Sequence, residues 1–229
     1  MSDAGRVVLV TGASRGVGRE IARQLADDHV VVCGTRDPAD GERVAAELGD
    51  AVGWVELDVA DPASVGAALA TVRERHGRLD ALVNNAAINF DAGADPLTED
   101  LEIADAAWRT NVLAVWRLVQ QAVPLLRAGR DPVVVNVTSG LGSLTHMGAH
   151  SPAYSVSKAG LNALTRVFAD ALRGEVAVHA VSPGWTATDM GGSGGRPVAD
   201  GAKGVVDVVR DPGGRPTGSF LEDGEDIPW

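Results

Sequence analysis

The chain has 229 residues, 45% of them apolar, and a formal net charge of −11 at pH 7. This length and apolar content fit one α/β domain covering 1–229 with a single core. The negative charge argues against a nucleic-acid partner, because phosphate recognition needs clustered cations. The sequence shows no leader segment and no apolar stretch of about 18 residues, so we expect a cytoplasmic protein without a membrane partner.

Cys33 is the only cysteine, which excludes disulfide and cysteine–metal frameworks. It lies in an apolar run and is predicted to be a buried thiol.

Short runs rich in Val and Leu predict seven strands. Most of these runs lack polar alternation, which is typical of strands covered on both faces. The predicted strands are 7–10, 29–34, 51–57, 81–83, 133–137, 176–181 and 218–221.

Helical patterns separate these runs. Apolar residues at 17, 21 and 25 form one stripe, and Asp61 followed by Pro62 signals the start of another helix. A longer helix is predicted from about 106 to 126, and a further one from 152 to 172 with Ser151 as its cap. Repeated strand–helix units imply a parallel, right-handed, doubly wound sheet with helices on both faces.

Three segments look irregular. The polar and acidic stretch 89–100 is predicted to be a loop, and the Gly-rich stretch 191–197 is expected to be mobile. The latter lies within 189–200, which we interpret as a short substrate lid. The acidic tail 222–226 is expected to be a solvated face.

A glycine-rich turn follows the first strand directly and a helix follows the turn. Glycines permit a tight turn and let backbone N–H groups approach a pyrophosphate at the positive end of the helix. The placement between strand and helix predicts a dinucleotide site. Its residues are Gly12, Ser14, Arg15, Gly16, Val17 and Gly18.

Tyr154 is the only tyrosine in the chain and stands four residues before Lys158, one of only two lysines. On a helix, positions i and i+4 share a face, so the phenol and the ammonium are expected to be neighbours. A nearby cation favours phenolate, which predicts a Tyr154 pKa lowered from about 10 towards neutrality. Such a tyrosine could act in proton transfer. The alternative is an ordinary exposed helix face.

Together, the Gly-x3-Gly-x-Gly spacing and the Tyr-x3-Lys pair resemble the short-chain dehydrogenase/reductase family, in its short single-domain branch. The likeness covers nearly the whole chain and implies a Rossmann-type fold that binds NAD(P). Asp58 and Val59 stand where the family binds adenine. Residues 84–87, which include Asn85, close the fourth strand where the family usually has Asn-Asn-Ala-Gly. Pro183, Gly184 and Thr188 match the segment with which the family holds the nicotinamide carboxamide. Ala87 departs from the family's usual glycine and narrows the room beside the nicotinamide ribose.

The choice between NADP and NAD depends on charge after the second strand. A 2′-phosphate favours arginine, whereas an unmodified ribose favours an acid. Arg36 and Arg15 could clamp a phosphate, as in family members with arginines at these places, so NADP(H) is favoured over NAD(H). Asp37 could take the acid's role instead, and Arg36 could be a solvated loop cation.

The resemblance also implies a catalytic set. Ser139 would hydrogen-bond the substrate carbonyl, and Tyr154 would give the proton as hydride arrives from the nicotinamide. Lys158 would lower the Tyr154 pKa and hold the ribose, and Asn111 would position a water that links Lys158 to solvent. Ser139 could otherwise be a loop hydroxyl and Asn111 a polar group at a helix kink. No other cluster has metal-site spacing, so no catalytic metal is predicted.

Positions beside the matched motifs supply the substrate candidates. They are Asn89, Phe90, Leu141, Leu144, Met147, Trp185 and Met190. His146 and His150 lie in the loop before Tyr154 and are expected to be surface residues. The C-terminal third resembles carbonyl-reductase-like members in four segments, 182–185, 188–192, 200–202 and 227–229. The family's habit predicts a homodimer or homotetramer that pairs through the helices at 106–126 and 152–172. A monomer stays open as the alternative, because some carbonyl-reductase-like members are monomers with a long insertion before the tyrosine, an insertion that this chain lacks.

The predicted function is NADPH-dependent reduction of a ketone, an aldehyde or a related C=O or C=N group in a small molecule. Two alternatives stay open. One is a catalytically silent NADP(H)-binding sensor or partner protein. The other is a same-family enzyme of alcohol oxidation, dehydration or epimerisation, because oxidation uses the same residues in reverse.

Overall fold

A computed structural model describes residues 5–229, which alternate between strands and helices along the chain. In order, the elements are β1 (Arg6–Thr11), α1 (Gly16–Leu25), β2 (His29–Thr35), α2 (Pro38–Leu48), β3 (Val52–Glu56), α3 (Pro62–His76), β4 (Ala81–Asn84), α4 (Leu101–Trp108), a π-helical segment (Arg109–Leu113), α5 (Ala114–Arg127), β5 (Val133–Val137), a 3-10 turn (Gly140–Gly142), α6 (Pro152–Ala171), β6 (Ala177–Ser182), α7 (Val198–Arg210), β7 (Phe220–Glu222) and β8 (Glu225–Asp226). Within residues 5–229, no helix has the length and apolar character needed to cross a membrane.

The strands form one sheet in the order β3-β2-β1-β4-β5-β6-β7-β8. Every pair is parallel except β7 with β8. The doubly wound Rossmann-type fold is therefore confirmed. The chain reverses its direction of winding between β1 and β4, and ligands of open α/β sheets bind beside such a switch point.

Within residues 5–229 the sheet has eight strands rather than the predicted seven, and the extra strand is antiparallel. It arises in the acidic tail that we expected to be only a solvated face. Asp223 and Gly224 both have positive φ, 54° and 78°. An Asp-Gly pair in this conformation makes a two-residue hairpin turn, so the chain folds back and Glu225 pairs with Glu222. We did not predict this turn from the Asp-Gly pair in the sequence.

Apolar side chains cover both faces of the sheet. Alternate residues of β1 point to opposite sides: Leu9 packs in the cluster under α3, α5 and α6, and Val10 in the cluster under α1, α2 and α7. Cys33 is buried in the second cluster, as predicted, and burial raises its thiol pKa to about 12.

The long helix predicted at 106–126 begins earlier and is not uniform. Asp100 starts it at Leu101, because its side chain accepts a hydrogen bond from the backbone N–H of Glu102. The π-helical segment at Arg109–Leu113 then separates α4 from α5. Single turns of π-helix inside α-helices are frequent at functional sites.

The helix predicted at 152–172 is α6, but its expected cap is wrong. Ser151 has a left-handed backbone, with φ 49° and ψ 62°, and its side chain makes no capping hydrogen bond. A cap residue normally has an extended backbone that aims its side chain at the next N–H groups. The carboxylate of Asp91 accepts those hydrogen bonds instead.

Candidate active site

One cavity of about 1540 Å³ runs along the carboxyl edge of the sheet. It receives residues that follow β1, β2, β3, β4, β5 and β6, because parallel strands end at the same edge. Every residue that we predicted to bind the cofactor lines it. These are Gly12, Ser14, Arg15, Gly16, Val17, Gly18, Arg36, Asp58, Val59, Asn85, Tyr154, Lys158, Pro183, Gly184 and Thr188.

The glycine turn is shaped by close backbone contact. Gly12 and Gly16 have positive φ, 64° and 56°. Gly18 lies against the side-chain amide of Asn85, so a methyl group there would collide with it. That amide in turn donates to the carbonyl oxygen of Thr11 at 2.9 Å. The turn is thus held rigidly beside the end of β4.

The start of α1 fits a phosphate group. No side chain within the described residues caps this helix, whose Ncap residue Arg15 is extended. The first N–H groups of a helix have no partner inside it and carry positive partial charge. Gly16, Val17 and Gly18 line the cavity at this point. The residues present therefore fit the pyrophosphate of a dinucleotide.

The adenosine end of the cavity carries three arginines. Arg15 and Arg36 line it as expected, and Arg43 of α2 lines it as well. The sequence analysis did not include Arg43, which lies on the first two turns of α2, seven residues after Arg36 in the chain. Its guanidinium donates to the carbonyl oxygen of Ser14 at 3.3 Å. Asp37 also lines the cavity, and its carboxylate caps α2 by accepting from the N–H of Ala39 at 2.9 Å.

Tyr154 and Lys158 are neighbours on α6, but their protonation differs from our expectation. The Lys158 ammonium lies 5.5 Å from the centre of the Tyr154 ring and donates to the carbonyl oxygen of Val137 at 2.8 Å. Burial raises the Tyr154 pKa to about 12 rather than lowering it, and hydrogen bonding with Ser139 only partly offsets the rise. Burial also lowers the Lys158 pKa to about 7, which weakens the cation's effect on the phenol.

Ser139 follows β5 and begins the 3-10 turn, where its hydroxyl accepts from the N–H of Leu141 at 3.2 Å. Gly140, the residue after Ser139, is hydrogen-bonded to Ser182 at the end of β6. The Ser182 hydroxyl donates to Glu222 at 2.5 Å and accepts from the N–H groups of Gly140 and Gly184. Glu222 also lines the cavity, and its place in the acidic tail gave no signal of this role.

Asn111 lies in the π-helical segment and does not line the cavity. Its side-chain amide accepts from the N–H of Ile88 at 3.0 Å and donates to the Ile88 carbonyl at 2.9 Å. The same amide donates to the hydroxyl of Ser157 at 2.9 Å. Asn111 therefore joins the loop after β4 to α6, and its role towards a water beside Lys158 stays a prediction.

The substrate candidates divide into two groups. Asn89, Leu141, Trp185 and Met190 line the cavity. Phe90, Leu144 and Met147 do not, and the side chains of Phe90 and Leu144 are mostly exposed. Their loops turn these side chains to the surface, which sequence proximity to a motif could not reveal. Both loop histidines are exposed, but His150 lines the cavity and His146 does not.

The expected lid at 189–200 is a hydrogen-bonded loop whose last three residues already belong to α7. Trp185 donates through its indole N–H to the carbonyl oxygen of Gly191 at 2.8 Å. Arg196 donates to the carbonyl oxygen of Pro183 at 2.9 Å. Residues 5–229 contain no group of three or more metal-ligating side chains.

A dinucleotide cavity at the switch point of a doubly wound sheet, with a Tyr–Lys pair facing it, is typical of nicotinamide-dependent oxidoreductases. Residues 6–197 match the family model for short chain dehydrogenases, so the chain belongs to that family of oxidoreductases.

Several relatives resemble the chain over most of its length. It is 35% identical over 193 residues to a 3-oxoacyl-(acyl-carrier-protein) reductase of Vibrio cholerae, covering 83% of this chain and 77% of the relative. Among solved structures, NADPH-bound carbonyl reductase from chicken fatty liver superposes with a TM-score of 0.89 at 30% identity, covering 99% and 100% of the two chains. An NADH-bound 3-ketoacyl-(acyl-carrier-protein) reductase from Brucella melitensis gives 0.86 at 28% identity, covering 96% of each.

Proposed function

We propose that the protein reduces a ketone, an aldehyde or a related C=O or C=N group of a small organic molecule with NADPH. One observation carries the proposal: Ser139, Tyr154 and Lys158 line the same cavity as the glycine turn at the start of α1. A cofactor whose pyrophosphate lies on that turn would reach towards these three side chains. When bound, the cofactor supplies the hydride.

The chain's own residues supply the proton and the orientation. The Ser139 hydroxyl donates a hydrogen bond to the carbonyl oxygen of the substrate, and the Tyr154 hydroxyl gives that oxygen its proton as the carbon accepts hydride. Because burial raises its pKa to about 12, Tyr154 is protonated at neutral pH. In this form the phenol can donate a proton.

Lys158 has a supporting role in this proposal. It is only 2% exposed, and its hydrogen bond to Val137 fixes its ammonium beneath the end of β5. In that position it faces the cavity beside Tyr154 and would hold the nicotinamide ribose. Asn111 supports it indirectly, because its hydrogen bond to Ser157 anchors the residue next to Lys158.

NADPH is favoured over NADH by the charge at the adenosine end. Arg15, Arg36 and Arg43 line the cavity there together with Asp37 and Asp40; the Asp37 carboxylate caps α2, and Asp40 pairs with Arg43 at 2.7 Å. A planar guanidinium matches a 2′-phosphate in charge and hydrogen-bond geometry. Among similar structures, the chicken carbonyl reductase is NADPH-bound and the Brucella reductase is NADH-bound, so the arginines are the argument for this chain.

We also propose that the protein forms a homodimer or homotetramer through the helices α4, α5 and α6. These helices, with the π-helical segment, present large apolar side chains to the surface: Trp108, Leu113, Trp116, Val156 and Val167. Contiguous exposed apolar residues mark interfaces between proteins. Light scattering would measure the assembly directly.

The decisive experiment replaces Tyr154 by Phe and follows NADPH oxidation with a panel of ketones, aldehydes, quinones and cyclic imines. We expect turnover to fall at least about a hundredfold, because the proton donor is lost, while NADPH binding is retained. Full turnover by the variant would overturn the assignment of the donor. NADPH binding without turnover of any substrate by the natural protein would favour the silent sensor instead.

The cofactor proposal has its own test. Arg36→Asp places a carboxylate where the 2′-phosphate would lie, so the ratio of kcat/KM for NADPH over NADH should fall at least about tenfold. Arg109→Asp is the matched control, because Arg109 is exposed and does not line the cavity. An unchanged ratio in Arg36→Asp would reject a phosphate contact by this residue.

A further inference from the structure

Asp91 is a buried carboxylate that lies against the start of the helix carrying Tyr154. It belongs to the loop after β4 and is only 3% exposed. One carboxylate oxygen accepts from the backbone N–H of Ala153 at 2.6 Å. Both oxygens lie 3.3 Å from the backbone nitrogen of Tyr154. Asp91 therefore contacts the backbone of the residue that we assign as proton donor.

This contact replaces a cap that α6 cannot make for itself. Ser151 has a left-handed backbone and makes no side-chain cap, and Pro152 has no N–H group. Ala153 and Tyr154 are therefore the first donors of the helix, and Asp91 accepts from both. A carboxylate at this end also interacts favourably with the helix dipole.

Asp91 also places a negative charge near the phenol of Tyr154. Lys158 on the same helix and the Ser139 hydroxyl after β5 interact with Tyr154. The other charged or titratable side chains that line its cavity are His150, Glu222, Asp58, Asp189, Arg15, Arg36, Asp37, Asp40 and Arg43. Burial is the main cause of the raised Tyr154 pKa, and the charge of Asp91 raises it further.

We propose that Asp91 is a positioning residue of the active site: from the loop after β4 it caps the start of α6, fixes the backbone of Tyr154, and sets its negative charge against formation of the Tyr154 phenolate. Its loop neighbours Asn89 and Ala92 line the cavity, so the same carboxylate couples the cavity wall to the catalytic helix. Only the description of Tyr154 as proton donor rests on the proposed function. The capping and the effect on Tyr154 protonation are independent of it.

Because Tyr154 is the chain's only tyrosine, tyrosinate absorbance near 295 nm reports its protonation without any substrate. The experiment compares the natural protein with Asp91→Asn by stopped-flow pH jumps, read before alkaline unfolding. Asparagine keeps an oxygen acceptor for the helix but removes the charge. We expect Asp91→Asn to form tyrosinate at lower pH, because less charge opposes the phenolate.

A second readout is the pH profile of NADPH-dependent reduction. Reduction needs protonated Tyr154, so activity is present below the tyrosine pKa and is lost as pH rises through it. Removing the Asp91 charge should move this alkaline limb, measured as kcat/KM, to lower pH, in the same direction as the tyrosinate midpoint. Asp91→Ala, which also removes the acceptor, should lower kcat by about ten- to a hundredfold at every pH. Circular dichroism establishes that each variant is folded.

Asp95→Asn is the matched control. Asp95 lies in the same loop, is exposed, and caps a turn through the N–H of Leu97 at 2.9 Å. It should leave both readouts at their natural values. A tyrosinate midpoint that is unchanged in Asp91→Asn, or that moves equally in Asp95→Asn, would overturn the proposal. Should the protein reduce no carbonyl compound at all, the proposed function fails while the absorbance titration still decides the role of Asp91.

Discussion

Replacing Lys158 by Met should make the free energy of unfolding respond differently to pH. The side chain is 2% exposed, and burial lowers its pKa to about 7 from an ordinary value near 10.5. Below pH 7 the lysine is protonated in both the folded and the unfolded chain. Between pH 7 and about 10.5 the unfolded chain binds the proton that the folded chain has released. The natural protein therefore gains stability as pH rises through this window.

The size of the effect follows from proton linkage. One proton of difference between the two states changes the free energy of unfolding by about 1.4 kcal/mol for each pH unit. From pH 7 to 9, the stability of the natural protein relative to Lys158→Met should rise by about 2–3 kcal/mol. Methionine has a similar length and no charge, so the packing around α6 is largely retained.

The assay is urea unfolding of both proteins at pH 6, 7, 8 and 9, without cofactor. Lys203→Met is the matched control, because Lys203 is the only other lysine in the chain and is exposed. Its stability should follow that of the natural protein over the whole range. A constant difference between the natural protein and Lys158→Met from pH 7 to 9 would refute the reasoning, because Lys158 would then keep its charge when folded.

Two glycines give further predictions. A methyl group at Gly142 would lie 2.8 Å from the carbonyl carbon of Lys158, so Gly142→Ala should push the Ser139 loop away from α6 and lower kcat about tenfold or more, as steady-state kinetics would measure. Gly148→Ala, with open space around it, should leave kcat unchanged, and equal losses in both variants would contradict this account. Gly224→Ala should lower the free energy of unfolding, measured with urea, by about 1 kcal/mol, because the Gly224 φ of 78° strains any residue with a side chain. An unchanged urea midpoint would argue against the hairpin turn.

Local patterns in the sequence predicted most of the fold. Buried strands read as continuous Val and Leu runs, and helix starts such as Asp61-Pro62 carry their own capping chemistry. The glycine turn could be placed for the same reason, because its conformation depends on neighbours in the chain. Asp223 and Gly224 form an Asp-Gly pair, which is typical of hairpin turns. The strand β8 could therefore have been predicted from the sequence, but we did not predict it.

Contacts between distant segments were beyond such reasoning. Serine is a common N-cap residue, yet the Ser151 side chain does not cap α6. Asp91, sixty residues earlier in the chain, accepts the hydrogen bonds at the start of this helix instead. Glu222 reaches the cavity only because β7 is placed beside β6 in the sheet. Phe90 and Met147 stand beside matched motifs, but the loops carry them away from the cavity.

The sequence by itself determined which residues can meet at the carboxyl edge of the sheet, since strand ends and the spacing of Tyr154 and Lys158 on a helix are local properties. Only the tertiary structure decided how those residues ionise. Adjacent charge predicted an acidic tyrosine, whereas burial of both side chains raises the Tyr154 pKa to about 12 and lowers the Lys158 pKa to about 7. The cost of removing a charge from water depends on everything packed around it, and that surrounding is assembled from segments far apart in the chain.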